Sequence, residues 1–349
     1  MNNNQIIHIN DIVCGDGNTF IIKNNVELWG IGRNTYSLID EKGMFIVDTF
    51  KHINTNGKKI SKVIVGMHNL AFLEPNGNVW IKGNNGEGQL GIGDTNKYND
   101  FKHCGIKAKK LAFGYYHTVL IDEENYVHVT GCNDSGQLGI NSNINKITKF
   151  KKLDIKAKDV ACGYCHTVIL KENGEVWAAG SNELGQLGDG TDIDRNVFVY
   201  TGMKAKAITC SGYRTVILKE NGEVWATGNN RDGQIGDGTY MCKFVFTYTG
   251  MKAKKIYSNV GYTVLIKKNN NVFVTGNNKS GQLGLGDNET INIFKKIGMK
   301  AESVSCGGDH LFLIRSNGEI FVSGDNFYGQ LGNKTIKSTN SFIRSNMVI

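Results

Sequence analysis

The tetrapeptide Gly-Gln-(Leu/Ile)-Gly occurs six times in this chain at a nearly constant interval. Its glutamines are Gln89, Gln137, Gln186, Gln234, Gln282 and Gln330, which are separated by 48, 49, 48, 48 and 48 residues. A fixed period of this length is typical of repeat architectures, in which each unit buries its apolar surface against its neighbours. The sequence therefore predicts one unit repeated along residues 1–349, forming a single domain.

The repeated pattern extends beyond the tetrapeptide and gives seven copies. Residues 176–188 read Val-Trp-Ala-Ala-Gly-Ser-Asn-Glu-Leu-Gly-Gln-Leu-Gly, and residues 224–236 and 272–284 follow the same frame. A decayed copy begins upstream at Leu28, where Ser37 and Leu38 stand in place of Gly-Gln. The chain therefore contains seven units.

Each unit has the pattern of four short β-strands. In the unit from Asp154 to Met203, the sequence predicts strands at residues 158–162, 166–171, 176–179 and 196–200. Between the second and third lies Asn173-Gly174, a pair that favours tight hairpins because both central residues of a type I′ turn need positive φ. The same pair recurs at residues 76–77, 221–222 and 317–318. Seven such units predict an all-β fold, a seven-bladed β-propeller with four antiparallel strands in each blade.

The two ends of the chain suggest how the ring closes. The sequence begins inside a unit, with strand-like residues 12–15 and 19–22, and it ends after the Gly-Gln-Leu-Gly loop of the last unit. We therefore expect the N- and C-terminal strands to share a blade. That arrangement would remove the free sheet edges of an open array.

The repeat resembles that of the regulator of chromosome condensation family. The resemblance rests on the Gly-Gln-Leu-Gly loop, the Cys-Gly-x-x-His-Thr segment at residues 162–167 (weaker at 306–310) and the Asn-Gly-Glu-Val-Trp hairpin. It covers the whole chain and implies a seven-bladed propeller. It leaves function open, because the family includes an exchange factor for the small GTPase Ran, a plant ultraviolet-B receptor, enzyme inhibitors and ubiquitin-ligase scaffolds.

Composition agrees with a loop-rich β protein. The chain has 44 glycines, 1 proline and 40% hydrophobic residues. It contains no 18-residue apolar run and no secretory signal pattern, so we expect a cytoplasmic or nuclear protein without a membrane span. Four of the eight cysteines occupy one repeat position and are expected to be small buried residues that lie far apart on different blades: Cys14, Cys162, Cys210 and Cys306.

Two phosphate-binding motifs match the sequence but lack the features that bind phosphate. Residues 86–91 match G-x-G-x-x-G, but no helix follows that could bind a pyrophosphate. Each repeat also has the spacing of a phosphate-binding loop, with glutamine where that loop needs lysine. We assign the glycines to tight turns, the glutamine to hydrogen bonds with the loop backbone and the leucine to the gap between blades. No cofactor is expected.

The segment Cys162-Gly163-Tyr164-Cys165-His166 matches the attachment sequence of c-type haem. Because the first cysteine and the histidine are repeat positions, we interpret the match as coincidence. The histidine recurs as His68, His117 and His310, and the remaining units carry Asn18, Arg214 and Tyr262. We expect these side chains to orient a turn of their own blade, with no metal-binding or catalytic role.

Lysines recur just before the first strand of successive units, and the net charge is +8. Alternation with Ala108, Ala157, Ala205 and Ala253 places them on one face of an extended segment. Around a ring they form what we call the lysine belt: Lys107, Lys109, Lys156, Lys158, Lys204, Lys206, Lys252 and Lys254. Such a belt attracts nucleic acid or another polyanion, or it is a solvated strand edge that lysine protects from aggregation. The sequence leaves both interpretations open.

Two protein-binding functions remain in competition, and binding of nucleic acid or another polyanion by the lysine belt is a third possibility. A protein-interaction scaffold would bind an unidentified partner through loops on one propeller face, with candidate anchors at Tyr115, Tyr116, Arg195, Arg214, Tyr240, Lys243, Phe327 and Tyr328. The alternative, implied by the resemblance, is guanine-nucleotide exchange on a Ran-like small GTPase. The family's exchange factor uses an inserted β-wedge and a basic N-terminal tail. The even spacing leaves no room for a wedge and residues 1–5 carry no charge, so we favour the scaffold.

Light sensing and catalysis have less support. The plant receptor uses clustered tryptophans in Gly-Trp-Arg-His-Thr segments, whereas residues 212–215 here read Gly-Tyr-Arg-Thr. The tryptophans share one hairpin-strand position and are expected to be core: Trp29, Trp80, Trp177 and Trp225. No nucleophile with its base can be assembled from the spacing, so we expect no enzyme and no catalytic residue.

Overall fold

The fold is an all-β propeller, seen in a computed structural model that describes residues 9–40, 44–345 and 347. Its described strands form seven antiparallel blades of four strands, as the repeat predicts. The first strand of every blade contributes to the lining of one central cavity. No helix in the described part of the chain is long and apolar enough to cross a bilayer.

The blades follow one another along the chain. Blade 1 contains β1 (Ile9–Cys14), β2 (Asn18–Lys23), β3 (Glu27–Arg33) and β4 (Ile46–Ile53). Blades 2 and 3 contain β5 (Lys62–Val65), β6 (Asn69–Leu73), β7 (Asn78–Gly83), β8 (Tyr98–Phe113), β9 (His117–Asp122), β10 (Tyr126–Cys132) and β11 (Lys146–Lys156). Blade 4 contains β12 (Asp159–Cys162), β13 (His166–Leu170), β14 (Glu175–Gly180) and β15 (Arg195–Lys204).

The last three blades repeat the same order. Blade 5 contains β16 (Ala207–Ser211), β17 (Arg214–Leu218), β18 (Glu223–Gly228) and β19 (Lys243–Lys252). Blade 6 contains β20 (Lys255–Asn259), β21 (Tyr262–Ile266), β22 (Asn271–Gly276) and β23 (Ile291–Lys300). Blade 7 contains β24 (Ser303–Cys306), β25 (His310–Ile314), β26 (Ile320–Gly324) and β27 (Thr339–Arg344).

Strand β8 belongs to two blades. Its first part pairs with β7, from Gly83 opposite Tyr98 to Asn78 opposite Lys107. Its second part pairs with β9 and ends with Phe113 opposite Thr118. One 16-residue strand is therefore the outer strand of blade 2 and the inner strand of blade 3, which joins the two blades into a seven-stranded sheet.

Apolar packing between neighbouring blades supplies the core. The second strand of each blade is almost wholly buried; β13 and β17 are buried at every position. One cluster joins Leu170 and Leu187 of blade 4 to Ile217 and Phe246 of blade 5. Because each blade contributes residues to a cluster shared with its neighbour, the apolar surface of one unit is buried only when the next unit is present.

The terminal strands do not share a blade in the described part of the chain, so that expectation is wrong. Strand β1 pairs with β2 inside blade 1, and β27 pairs with β26 inside blade 7. The first and last blades instead meet through hydrogen bonds. The N–H of Cys14 donates to Ser305 Oγ at 2.9 Å, and Thr19 Oγ1 donates to the carbonyl oxygen of Gln330 at 2.7 Å. The first unit already contains its own four strands, so closure needs no strand from the other end.

The strand order gives the disk two different faces. In blade 4, His166 pairs with Gly180 at one end of the sheet, and Leu170 pairs with Val176 at the other. The turn after the first strand and the Gly-Gln loop after the third strand lie at the first end, which we call the loop face. The Asn-Gly hairpins and the connections between successive blades lie at the opposite end, which we call the hairpin face.

Candidate partner-binding face

The Gly-Gln loops of the loop face hold their own shape and fill the space between blades. In blade 4, the backbone N–H of Leu184 donates to Gln186 Oε1 at 3.0 Å, and Gln186 and Leu187 are wholly buried. Gly188 has φ of 69°, and a Cβ there would lie 2.6 Å from the Phe246 ring of blade 5. The roles expected for the glycine, the glutamine and the leucine are therefore confirmed.

The recurring histidine ties its own blade to the next one at three junctions, so the expectation that it orients its own blade is wrong. The pairs His117–Thr167, His166–Thr215 and His310–Thr19 have Nε2 to Oγ1 distances of 3.0, 3.1 and 3.1 Å. Burial lowers the pKa of His117 and of His166 to about 3, which keeps both imidazoles neutral. Each of these rings therefore contacts a threonine on the second strand of the next blade.

In blade 2 this position holds Asn69, and the assignment of His68 to it is wrong. The N–H of Gly66 donates to the carbonyl oxygen of Asn69, as the N–H of Gly114 does to that of His117. Asn69 Nδ2 then donates to a carbonyl within its own blade. Chemical likeness suggested His68, whereas the 48-residue count from His117 points to Asn69.

Arg214 is buried, so it is not an exposed anchor for a partner. Its side chain is 1% exposed, and its Nη2 donates to the carbonyl oxygens of Asn259 and Tyr262 of blade 6 at 2.9 Å each. The Tyr262 hydroxyl in turn lies 2.8 Å from the carbonyl oxygens of both Gly307 and His310 of blade 7, which share its single proton. Arg214 therefore links blades 5 and 6 from the position that histidine takes elsewhere.

The four equivalent cysteines line one central cavity of about 220 Å³, so the expectation that they lie far apart is wrong. Burial raises the pKa of the Cys14 thiol and of the Cys210 thiol to about 12, so both are protonated at neutral pH. Cys162 lines this cavity and Cys165 does not. No group of three or more His, Cys, Asp or Glu residues in the described ranges is placed to hold a metal ion.

An arc of aromatic side chains crosses the loop face from blade 1 to blade 5. We call it the aromatic arc, and it consists of Tyr36, His68, Tyr115, Tyr116, Tyr164 and Tyr213. Successive ring centroids from Tyr36 through His68, Tyr115 and Tyr164 to Tyr213 are 4.5, 4.9, 5.3 and 5.3 Å apart. Most of these contacts are edge to face, and Tyr213 is 37% exposed. Such amphipathic rings present contact area with little loss of side-chain freedom.

A second aromatic group lies where blades 7 and 1 meet. The side chain of Phe327 is 64% exposed and that of Phe45 is 52% exposed. Tyr328 is half-buried between them, with ring centroids 5.1 Å from Phe327 and 5.9 Å from Phe45. Arg33 lies beside this group and forms an ion pair with Asp16 at 3.0 Å. Phe327 is therefore available to a partner, and Tyr328 supports it from the gap between blades.

The remaining predicted anchors also lie on the loop face. Tyr240 is 50% exposed. Arg195 Nε and Lys243 Nζ form ion pairs with carboxylates of the preceding loops, at 2.8 Å to Asp189 and 2.7 Å to Asp237. Apart from Arg214, the structure thus brings the sequence-predicted anchors onto one face, with the two cations already paired inside the protein.

Carboxylates lie near the arc at the mouth of the central cavity. Burial raises the pKa of Asp16 and of Asp309, and the neighbouring Asp325 raises the pKa of Asp309 further. Burial raises the pKa of Tyr164 too, and the charge of Asp16 adds to that shift. Asp309 accepts a hydrogen bond from Gln282 Nε2 at 3.0 Å and has no ion pair within the described ranges. Carboxylates therefore lie beside the aromatic arc, and Asp16 is already paired with Arg33.

The lysine belt lies on the hairpin face. The alanines between its lysines are 0–5% exposed, whereas the lysines are exposed or, in the case of Lys158, half-buried. The N–H groups of Ala205 and Ala253 donate to the carbonyl oxygens of Gly174 and Gly222 at 2.8 Å, which holds the belt against the hairpins. The predicted alternation is confirmed.

The tryptophans are half-buried on the flanks of the blades, where Trp80, Trp177 and Trp225 pack against the apolar clusters, so they lie at the edge of the core and not inside it. Trp177 Nε1 donates to Glu175 Oε2 at 3.0 Å, and Lys171 Nζ lies 3.7 Å from the centre of its ring. Trp225 has the same arrangement with Glu223 and Lys219. A polar indole N–H needs a partner, and the hairpin supplies a carboxylate at the solvent boundary.

The repeat pattern and the seven-bladed structure agree with a match to a described family. Residues 96–347, more than half of the chain, match the RCC1-like domain. The chain belongs to the RCC1-like domain family. A search of curated proteins found no match.

Solved structures share the fold of this RCC1-like domain. Human WBSCR16 aligns with a TM-score of 0.79 and 20% identity over 92% of this chain and 94% of that chain. Prp20p from Saccharomyces cerevisiae, studied for its binding to Gsp1p and histones, aligns with a TM-score of 0.77 and 19% identity over 92% and 86% of the two chains. Yeast RCC1 (Prp20) bound to Kap60 aligns with a TM-score of 0.76 and 18% identity over 99% and 88%. These likenesses establish the fold.

Sequence reasoning missed four members of the aromatic arc: Tyr36, His68, Tyr164 and Tyr213. A signal for two of them was present, because a tyrosine follows glycine at residues 114–115, 163–164 and 212–213. All three Gly-Tyr pairs lie in the turn after the first strand. A tyrosine repeated at one turn therefore indicated a shared surface, in which Tyr213 is exposed and Tyr115 and Tyr164 are half-buried.

Proposed function

We propose that this RCC1-like domain is a non-enzymatic protein-interaction scaffold that acts as one domain over residues 1–349 and binds a protein partner through its loop face. The observation that carries the proposal is the aromatic arc, which runs without interruption across five blades. Binding energy at protein interfaces concentrates in aromatic anchors, and Tyr, Trp and Arg are enriched there. The exposed Phe327 and Tyr240 extend this surface toward the rim.

The environment of the histidines and thiols supports a role without catalysis. A general base works best with a pKa near the operating pH, whereas burial lowers the pKa of His166 to about 3. A nucleophilic cysteine needs a lowered pKa, whereas burial raises the pKa of the Cys210 thiol to about 12. These groups serve packing between blades.

We place the protein in the cytoplasm or nucleus. Its eight cysteines are unpaired: four line the central cavity, and Cys104 and Cys132 are buried elsewhere. Unpaired thiols fit a reducing compartment better than an oxidising one.

Two tyrosines of similar exposure allow a sharp test of the loop face. Tyr213 on the aromatic arc is 37% exposed, and Tyr200 on the outer strand β15 is 43% exposed. The tagged wild-type protein, the double variant Tyr213→Ala/Phe327→Ala and the control Tyr200→Ala are used to capture partners from the native host. The expected result is a defined protein held by wild type and control and reduced at least about tenfold with the double variant. Equal recovery by all three proteins would contradict the use of this face.

Guanine-nucleotide exchange is the alternative, and the same experiment separates it from the scaffold. Among residues 9–40 and 44–345, every strand belongs to a blade, and no further hairpin projects from the disk. This regularity favours the scaffold. If the captured protein is a small GTPase, release of a fluorescent guanine nucleotide from it is measured with and without this domain. Accelerated release would replace the scaffold proposal with exchange, and unchanged release would leave the scaffold in place.

A further inference from the structure

We propose that the hairpin face, opposite the proposed partner-binding face, binds the phosphodiester backbone of a nucleic acid at a cleft between blades 5 and 6. The cleft has a volume of about 460 Å³. We call it the lysine cleft, and its polar lining consists of Lys252, Lys267, Lys268, Asn221 and Asn269. No carboxylate of the described residues lines it, so the three lysines give the lining a net positive charge.

The lysine cleft is where the hairpin departs from the repeat. Lys268 occupies the position that Glu172 takes in blade 4 and Glu220 takes in blade 5, at intervals of 96 and 48 residues. Asn271 likewise replaces a glutamate found in both of those hairpins. Blade 6 has Phe273 where blades 4 and 5 have tryptophan, so no indole N–H there needs a carboxylate. The substitutions therefore reverse the charge of one hairpin and leave its strands unchanged.

The neighbouring cleft is built by hairpins that keep their glutamates. Between blades 4 and 5 a cleft of about 360 Å³ is lined by Lys158, Lys204 and Lys219 together with Glu172 and Glu220. Its cations are offset by two carboxylates in the same lining. Because the two clefts are built by equivalent elements, the difference between them is chiefly one of charge.

The cations of the lysine cleft have no partner carboxylate within ion-pair distance in the described part of the chain. Thirteen ion pairs are formed there, and none includes Lys252, Lys267 or Lys268. Lys267 Nζ lies 4.4 Å from the centre of the Phe273 ring, which fixes its position beside the opening. Of the eight belt lysines, Lys254 alone forms an ion pair with another described residue, Glu302 at 3.5 Å. An extended polyanion can therefore meet further unpaired cations along the belt.

The chemistry of this face favours nucleic acid over a protein or a lipid bilayer. In the described hairpins of blades 4 to 6, no large apolar side chain is exposed at the tips, which removes the anchors of a protein interface and of membrane insertion. The nearby rings of Trp177 and Trp225 lie under lysine ammonium groups and are not free to stack on bases. What remains is contact with phosphates, which is independent of base sequence.

Two charge reversals on opposite faces of blade 6 test this proposal. Lys268→Glu introduces the side chain that Glu172 and Glu220 supply at the same turn, so the hairpin is expected to fold. Lys279→Glu on the loop face introduces the residue that blade 4 carries as Glu183, and it changes the net charge equally. Binding of the full chain to a fluorescent DNA duplex of about 20 base pairs is measured by anisotropy over a range of salt concentrations.

The expected result is binding by wild type and Lys279→Glu, with affinity at least about fivefold weaker for Lys268→Glu and a salt-dependence slope smaller by about one. Equal weakening by both variants would overturn the site, because net charge alone would then explain binding. Absence of salt-dependent binding by wild type would overturn it as well. Equal affinity for polyglutamate of similar length would show that the face binds any acidic chain, which would overturn the assignment to nucleic acid.

Discussion

Thr215 of blade 5 contacts blade 4 twice, since its hydroxyl lies 3.1 Å from His166 Nε2 and donates to the carbonyl oxygen of Gln186 at 2.7 Å. Because that hydroxyl proton is used on Gln186, the imidazole must donate through Nε2. The Nδ1 atom of His166 then carries a lone pair and has no hydrogen-bond partner among the described residues. Neighbouring blades are therefore joined by a short directed chain of hydrogen bonds in addition to apolar packing.

Removing the Thr215 hydroxyl is expected to weaken the junction of blades 4 and 5. Thr215→Val keeps the shape of the side chain and leaves two buried polar groups unpaired, which costs about 1–3 kcal/mol of the free energy of unfolding. Urea denaturation measures the change. Thr247→Val on the outer strand β19 is the control, and it is expected to change stability by less than about 0.5 kcal/mol. Equal effects of the two substitutions would argue against the role of the hydroxyl.

Acid is expected to destabilise the ring. The pKa of His117 and of His166 is about 3 in the folded protein, and an unfolded histidine has a pKa of about 6.5. Between these values the unfolded chain binds more protons, so stability is fully present above about pH 6.5 and falls by about 1.4 kcal/mol per unit and per histidine as the pH decreases. Urea denaturation from about pH 7 to about pH 5 gives this slope.

A variant separates the buried histidines from other acidic effects. His166→Asn places at this position the residue that blade 2 carries as Asn69. Its stability should depend less steeply on pH than that of the wild type, by the contribution of one histidine. An unchanged slope would mean that His166 is not buried and neutral in the folded state.

Arg214 is expected to govern stability and not partner binding. Arg214→Ala removes a buried guanidinium that serves two carbonyl oxygens and leaves a cavity, at a cost of about 3–5 kcal/mol in the free energy of unfolding. The adjacent Tyr213→Ala alters an exposed ring, with an expected cost below about 1 kcal/mol. Thermal unfolding of both variants measures the contrast. Comparable stability of the two would contradict the buried role of Arg214.

Two glycines with similar backbone angles distinguish close packing from backbone strain. Gly188 and Gly202 have φ of 69° and 77°. A Cβ at Gly188 would lie 2.6 Å from Phe246, whereas a Cβ at Gly202 would have no atom within 4 Å apart from its chain neighbours. Both Ala variants carry about 1 kcal/mol of strain, and Gly188→Ala adds about 1–3 kcal/mol of overpacking. Similar losses in urea denaturation would show that the Phe246 ring can move aside.

The 48-residue period predicted features that lie within one repeat unit. It did not predict the side-chain contacts that form between neighbouring blades. The number of blades, the Asn-Gly hairpins and the alternation around Ala205 follow from periods within one unit. The partner of His166 lies 49 residues away in the next blade, and no local pattern reveals it. Arg214 was assigned to the surface by its charge, although its position within a strand of wholly buried residues predicted the opposite.

The structure places most of the predicted anchors on one face and buries Arg214, whose assignment to the surface was wrong. Loop residues that depart from the repeat, such as Tyr240 and Phe327, lie exposed on one face. To predict the aromatic arc, residues from five blades would have to be placed side by side. Tyr36 joins the arc through its contact with His68, which depends on the relative orientation of blades 1 and 2. Pairwise geometry of this kind cannot be derived from a one-dimensional pattern.

Each blade except the pair joined by β8 is a contiguous stretch of chain. The propeller can therefore gain or lose whole blades during evolution. Gain or loss of one 48-residue segment between, for example, blades 5 and 6 would be a single genetic event that leaves every remaining sheet complete. In a propeller whose N- and C-terminal strands pair in one blade, that blade is not a contiguous stretch of chain and could not be gained or lost in this way. Because these blades are contiguous in sequence, a circular permutant with new ends at any of the links that join blades 3, 4, 5, 6 and 7 is expected to keep every blade whole. New ends within β8 would divide blades 2 and 3 at once.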